Sequence, residues 1–102
     1  MHIDNVGEFE ELVCNIKGPL LIFFTTKWTK NAIDWGKVNQ YKKNINIINI
    51  DVSNTPELIA LHGLFMTPSM VVYKDGHPRN GTNGFTPLYV EDAVKYYGVN
   101  NE

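Results

Sequence analysis

At 102 residues, 43% hydrophobic and 20% charged, the chain is long enough for one buried core, too short for two, and too apolar to be disordered, so residues 1–102 are expected to form a single domain. A net charge of -2, with nine basic residues of which only Lys42 and Lys43 are adjacent, argues against nucleic acid as a partner. One cysteine, Cys14, excludes an internal disulfide and any multi-cysteine metal site, and His2, His62 and His77 lack ligand spacing, so neither a metal nor a cofactor is expected.

In chain order, His2 to Asp4 has room for a short strand. Phe9, Leu12, Val13 and Ile16 recur at helical spacing, and Gly18-Pro19 stops that helix. Leu20 to Phe24 is a continuous apolar run, as in a central strand covered on both faces, and it is far too short to cross a membrane. A helix from about Thr29 to Lys43 comes next, interrupted by Gly36. Ile45, Ile47, Ile48 and Ile50 make a β-branched strand ending at Asp51. Asn54-Thr55-Pro56-Glu57 reads as a helix opening in which Asn54 or Thr55 caps the free N–H groups; the helix carries Leu58, Ile59 and Leu61, and His62-Gly63 ends it.

Met70 to Tyr73 is the next strand, Lys74-Asp75-Gly76 a hairpin turn, and roughly Arg79 to Phe85 the returning strand. Asn80-Gly81-Thr82 fits a glycosylation acceptor but is read as a turn. Thr86-Pro87 opens a last helix carrying Leu88, Val90, Ala93, Val94 and Tyr97, with Gly98 as its stop. Met1 to Asn5 has neither the basic flank nor the apolar run of a signal peptide, so the expected compartment is the cytoplasm. The alternation of helical and extended segments is that of an α/β layer fold.

With the elements in this order, the stretch His62 to Gly76, "HGLFMTPSMVVYKDG", resembles the thioredoxin-like superfamily, in which a small loop, a cis-proline, a strand and a charged turn succeed one another. Pro68 matches the proline, and Gly84 falls where that family keeps a loop glycine. "LLIFFTTKW" is similar to the strand leading into its Trp-Cys-Gly-Pro-Cys motif. Trp28 takes the Trp position, Thr29 and Ala32 the two cysteines, and Lys30 and Asn31 the residues between. The resemblance covers nearly the whole chain. It implies a thioredoxin-like fold: a central mixed sheet of four or five strands flanked by helices. The sequence departs from the family at three points. Both motif cysteines are absent, Phe23 stands where the family keeps a buried carboxylate, and the segment from Ala32 to Asp51 is short enough to cost the second helix a turn or two.

Dithiol–disulfide exchange needs a thiolate at a helix N-terminus and a second thiol to resolve the mixed disulfide. Thr29 does not ionise in the accessible pH range, and Ala32 has no nucleophile. Thr29 is therefore expected to be a helix N-cap, and Phe23 a packed core ring. Cys14 lies off the apolar stripe of its helix, either as an incidental exposed residue or as a lone thiol forming mixed disulfides. The resemblance implies that Thr67, Pro68, Trp28 and Gly84 line a groove for an extended protein or peptide partner, unless Pro68 only sets a turn and Trp28 only caps the core. Trp35 and Tyr41 are read as helix–sheet packing. The expectation is a non-enzymatic, redox-inactive adaptor acting through the Trp28/Pro68 surface. The alternatives are a thiol- or glutathione-linked oxidoreductase or transferase using Cys14, and a purely structural subunit.

Overall fold

The computed structural model describes residues 1–99 and is built on one four-stranded sheet. Its elements are α1 (Val6–Asn15), β1 (Pro19–Thr25), α2 (Trp35–Asn39), β2 (Asn46–Asp51), α3 (Glu57–Leu61), β3 (Ser69–Lys74), β4 (His77–Asn83) and α4 (Pro87–Tyr97). The strand order is β2-β1-β3-β4. β1 runs parallel to β2 and antiparallel to β3, and β3 and β4 form an antiparallel hairpin, so the sheet is mixed as expected.

The apolar run that reads as a central strand is one, since every residue of β1 is buried. Its side chains alternate between two apolar layers. Leu20, Ile22 and Phe24 pack with Phe9 and Val13 of α1, Leu58 of α3, and Val71 and Tyr73 of β3. Leu21 and Phe23 pack on the other face with Val38 of α2, Val90 and Ala93 of α4, and Met70 and Val72 of β3. His62 closes the first layer: its ring lies 5.4 Å from Phe9 and 5.1 Å from Phe24, Nδ1 faces the Leu58 carbonyl at 2.7 Å, and Nε2 meets the Tyr73 hydroxyl.

Several local expectations are corrected. The predicted helix from Thr29 to Lys43 is instead a 3-10 turn over Lys30–Ala32 and the five-residue α2, which Asp34 starts by accepting the Lys37 N–H at 3.2 Å. Five residues complete few internal hydrogen bonds, so α2 is held by packing rather than propensity. Neither Asn54 nor Thr55 caps α3 with its side chain. Thr55 is buried and donates its hydroxyl to the Ile3 carbonyl at 3.1 Å, while Asn54 reaches His2 at 2.8 Å. The expected strand at His2 to Asp4 is a single parallel bridge from His2 to Asp51, beside which Asp51 donates its N–H to the Met1 carbonyl at 2.8 Å.

Asp75 and Gly76 both have positive φ, 55° and 78°, and this tight turn starts β4 at His77, two residues before the predicted strand. Asn80, Gly81 and Thr82 are therefore strand residues and not a turn. Pro78 lies on β4 opposite Tyr73, next to a register irregularity between Val72 and Tyr73. At the last helix, the Thr86 side chain accepts the Tyr89 N–H at 3.1 Å and Pro87 takes the first turn, as the sequence predicts.

Phe23 is fully buried, 5.1 Å edge-to-face from Trp35 and 6.3 Å from Phe85. Phe23→Ala is expected to cost about 3–5 kcal/mol, read as a lower denaturant midpoint in equilibrium unfolding. Burial pushes the hydroxyls of Tyr73 and Tyr89 up to about 12, with smaller contributions from Glu10 and Tyr97 respectively. A raised folded-state value favours the protonated form, so this stabilisation is complete below the ordinary tyrosine value of ~10 and is lost as pH rises toward about 12. Across that alkaline range the melting temperature should fall as tyrosinate absorbance rises.

Candidate functional site

β1 and β2 end, and β3 begins, at the same edge of the sheet, because Thr25 pairs with Asp51 and Phe24 with Ser69. β4 ends there too, with Asn83 opposite Ser69. The loop after β1 carries Trp28 and Thr29 to Ala32. Thr67 and Pro68 lead into β3, and Gly84 comes directly after β4. The topology thus collects Trp28, Thr67, Pro68 and Gly84 at one end of the sheet. The Thr67–Pro68 peptide is cis, and Gly84, at φ 82°, donates its N–H to the Pro68 carbonyl at 2.8 Å. Only glycine adopts that φ without cost, which accounts for the residue after β4.

In the loop after β1, the Thr26 N–H donates to Thr29 Oγ1 at 2.8 Å and the Thr29 N–H to Thr26 Oγ1 at 3.3 Å. The two hydroxyls lie 3.1 Å apart, and the Lys30 N–H donates to the Thr26 carbonyl at 3.0 Å. This corrects the N-cap expectation, since the Thr29 side chain makes no cap hydrogen bond to the 3-10 turn and closes the loop backward onto Thr26. Its oxygen is spent on main-chain geometry. Lys30, Asn31 and Ala32 are exposed. The Trp35 indole N–H donates to the Lys30 carbonyl at 3.2 Å, tying the loop to the ring that covers Phe23.

Trp28 does not cap the core. It is 83% exposed, and the Lys27 ammonium lies 5.5 Å from its ring centre. Phe65 and Met66, which sequence reasoning passed over, are 80% and 42% exposed just before Thr67. Two large apolar residues placed after a helix stop and before a strand were the available signal. The Phe65 N–H donates to Asn83 Oδ1 at 2.9 Å, which fixes that loop to the end of β4.

Cys14 is exposed on the last turn of α1. Because α1 leads directly into the start of β1, the thiol lies at the opposite end of the sheet from Trp28 and Pro68. The seven residues of β1 separate the two ends by roughly 20 Å. The structure therefore does not unite Cys14 with the loop residues. Among the described residues no cluster of three or more His, Cys, Asp or Glu is placed to hold a metal ion, and no helix is long and apolar enough to cross a membrane.

No family model matches the chain. It is 26% identical over 96 residues to thioredoxin-1 of Schizosaccharomyces pombe, covering 91% of this chain and 93% of that protein. It is also 26% identical over 87 residues to a probable thioredoxin-2 of Caenorhabditis elegans, covering 80% of this chain but only 60% of that protein's length. The crystal structure of mitochondrial thioredoxin 3 from Saccharomyces cerevisiae, in its oxidised form, superposes with a TM-score of 0.75 at 22% identity, over 93% of this chain and 92% of the other. The fold is the thioredoxin fold, and the relatives and the structure together support a place in the thioredoxin-like superfamily. They overturn the expectation of a redox-inactive adaptor: the relatives are thioredoxins by name, which favours the thiol-linked alternative instead.

The 3-10 turn brings the Ala32 N–H to the Thr29 carbonyl at 3.0 Å. Such a turn holds its first and fourth Cα atoms within about 7 Å, inside the reach of a disulfide. Thr29→Cys with Ala32→Cys, made on Cys14→Ser, should oxidise to an intramolecular disulfide, seen as the loss of both titratable thiols. Two thiols persisting under mild oxidant would contradict this loop geometry.

Proposed function

We propose that this chain is a one-thiol oxidoreductase of the thioredoxin fold, in which Cys14 exchanges with disulfides and an external small thiol such as glutathione completes the cycle. The reading is carried by one observation: a chain similar to thioredoxins over nearly its full length has its only sulfur nucleophile exposed on α1. With one cysteine the chain has no Cys-x-x-Cys pair. The hydroxyl of Thr29 cannot form an exchangeable sulfur bond, so the redox step falls to Cys14.

In this cycle the deprotonated Cys14 sulfur attacks a substrate disulfide. A bond forms from Cys14 to one substrate sulfur, the substrate S–S bond breaks, and the departing thiolate takes up a proton. The external thiolate then attacks the mixed disulfide, releasing Cys14 as thiolate and leaving the substrate sulfur joined to the small thiol. A second external thiolate then displaces the substrate sulfur and forms the small-thiol disulfide, so two external thiols are oxidised as the substrate disulfide gains two electrons, and no resident cofactor is required. The substrate is a protein or peptide disulfide, and a reducing cytoplasm is the compartment that keeps a solitary thiol ready.

The test is glutathione-dependent reduction of a mixed-disulfide reporter, coupled to glutathione recycling. The wild-type chain should exceed the rate of an equal concentration of free cysteine, and Cys14→Ser should fall to the protein-free baseline. A wild-type rate no faster than free cysteine, or activity surviving in Cys14→Ser, would defeat the proposal.

A further inference from the structure

A second site lies on the face of the sheet away from α1, where α4 passes over the outer strand β4. Tyr89, Asp92, Tyr96 and Tyr97 recur at helical spacing along one side of α4 and, with Asn80 and Thr82 of β4, line a cleft of about 310 Å³. That volume falls at the lower end of small-ligand sites, which run from ~300 to 1,000 Å³.

The lining is selective in charge. Asp92 is the one formally charged side chain among the described residues that line the cleft. Three of the chain's five tyrosines form its aromatic walls. Tyr89 is fixed across the cleft, donating its hydroxyl to Asn80 Oδ1 at 3.1 Å. With that hydroxyl pushed up to about 12 by burial, the Tyr89 side chain stays neutral at physiological pH. An anion here would meet the Asp92 carboxylate, and no basic side chain among the described residues lines the cleft. A neutral apolar molecule would desolvate Asp92 and Asn80 without replacing their hydrogen bonds. A cation gains on both counts, from the aromatic lining and from the carboxylate. Tyr96 is 70% exposed, and a ligand cation at its ring would take the place of the Lys95 ammonium that lies 5.5 Å from the ring centre.

We propose that the cleft between α4 and β4 binds a small organic cation of the alkylammonium class, held by the rings of Tyr89, Tyr96 and Tyr97 and by the carboxylate of Asp92. The site is independent of Cys14, which sits on the other face of the sheet.

The experiment is an NMR titration of the full chain at fixed ionic strength, with choline and with its neutral analogue in which carbon replaces the ammonium nitrogen. Choline should give saturable shifts confined to α4 and β4, and the neutral analogue should bind about fivefold more weakly or worse. Tyr96→Ala and Asp92→Asn, both at exposed positions, should each weaken choline by roughly fivefold, whereas Tyr96→Phe keeps the ring and keeps the affinity. Equal binding of the two probes, no saturable shift, or unchanged affinity in both weakening variants would overturn the proposal.

Discussion

The fold depends on β1 being enclosed on every side. Its backbone pairs with β2 on one edge and β3 on the other, and its side chains enter two separate apolar layers. In so dry a strand an unpaired main-chain group costs about 1–3 kcal/mol, so the registers on both edges are fixed together. The loop that leaves β1 is therefore delivered to a set place at the end of the sheet. Phe23 belongs to the same constraint, because a carboxylate at that depth would need a partner to offset its desolvation, whereas the ring packs on Trp35 and Phe85 without one.

The elements easiest to read in the sequence are those set by a strong local or burial signal. The five-residue apolar run announces β1, and Thr86-Pro87 announces α4 through a hydroxyl cap and a ring-fixed φ. Where the sequence misleads, two local solutions compete and tertiary contacts choose. Thr29 can cap forward or close backward, and a second threonine three residues earlier draws it back. Thr55 can cap α3, but the Ile3 carbonyl lies within its reach and a buried hydroxyl goes to the partner that satisfies it. β4 starts early because two consecutive left-handed residues reverse the chain in minimum length. Of the candidate site, the residues at the sheet end could be anticipated individually. The exposure of Trp28, Phe65 and Met66 is harder to read, since a large apolar residue is normally taken as core and only the loop position of Phe65 and Met66 speaks against it.

A working thiol on α1 rather than in the loop, as proposed, changes what the scaffold must supply. In a dithiol loop both electrons come from one chain, and a helix N-terminus stabilises the thiolate. Cys14 sits near the C-terminal end of α1, and in the proposed cycle the second sulfur arrives from solution. Turnover in that proposed cycle is governed by the encounter with an external thiol as much as by the protein. The loop after β1 carries no cysteine, and the polar atoms of Thr26 and Thr29 bond to one another.

Pro78 bears on a different matter, which is how one molecule meets the next. β4 is an outer strand, and an outer strand offers its unpaired N–H and C=O groups to any extended chain that drifts alongside. A proline without an N–H and the irregular register beside Tyr73 interrupt that row. At the opposite margin, Met1 and His2 already occupy part of β2. Neither border gives a foreign strand a continuous ladder to copy, so this small sheet is poorly suited to seed stacking of further chains into fibrils.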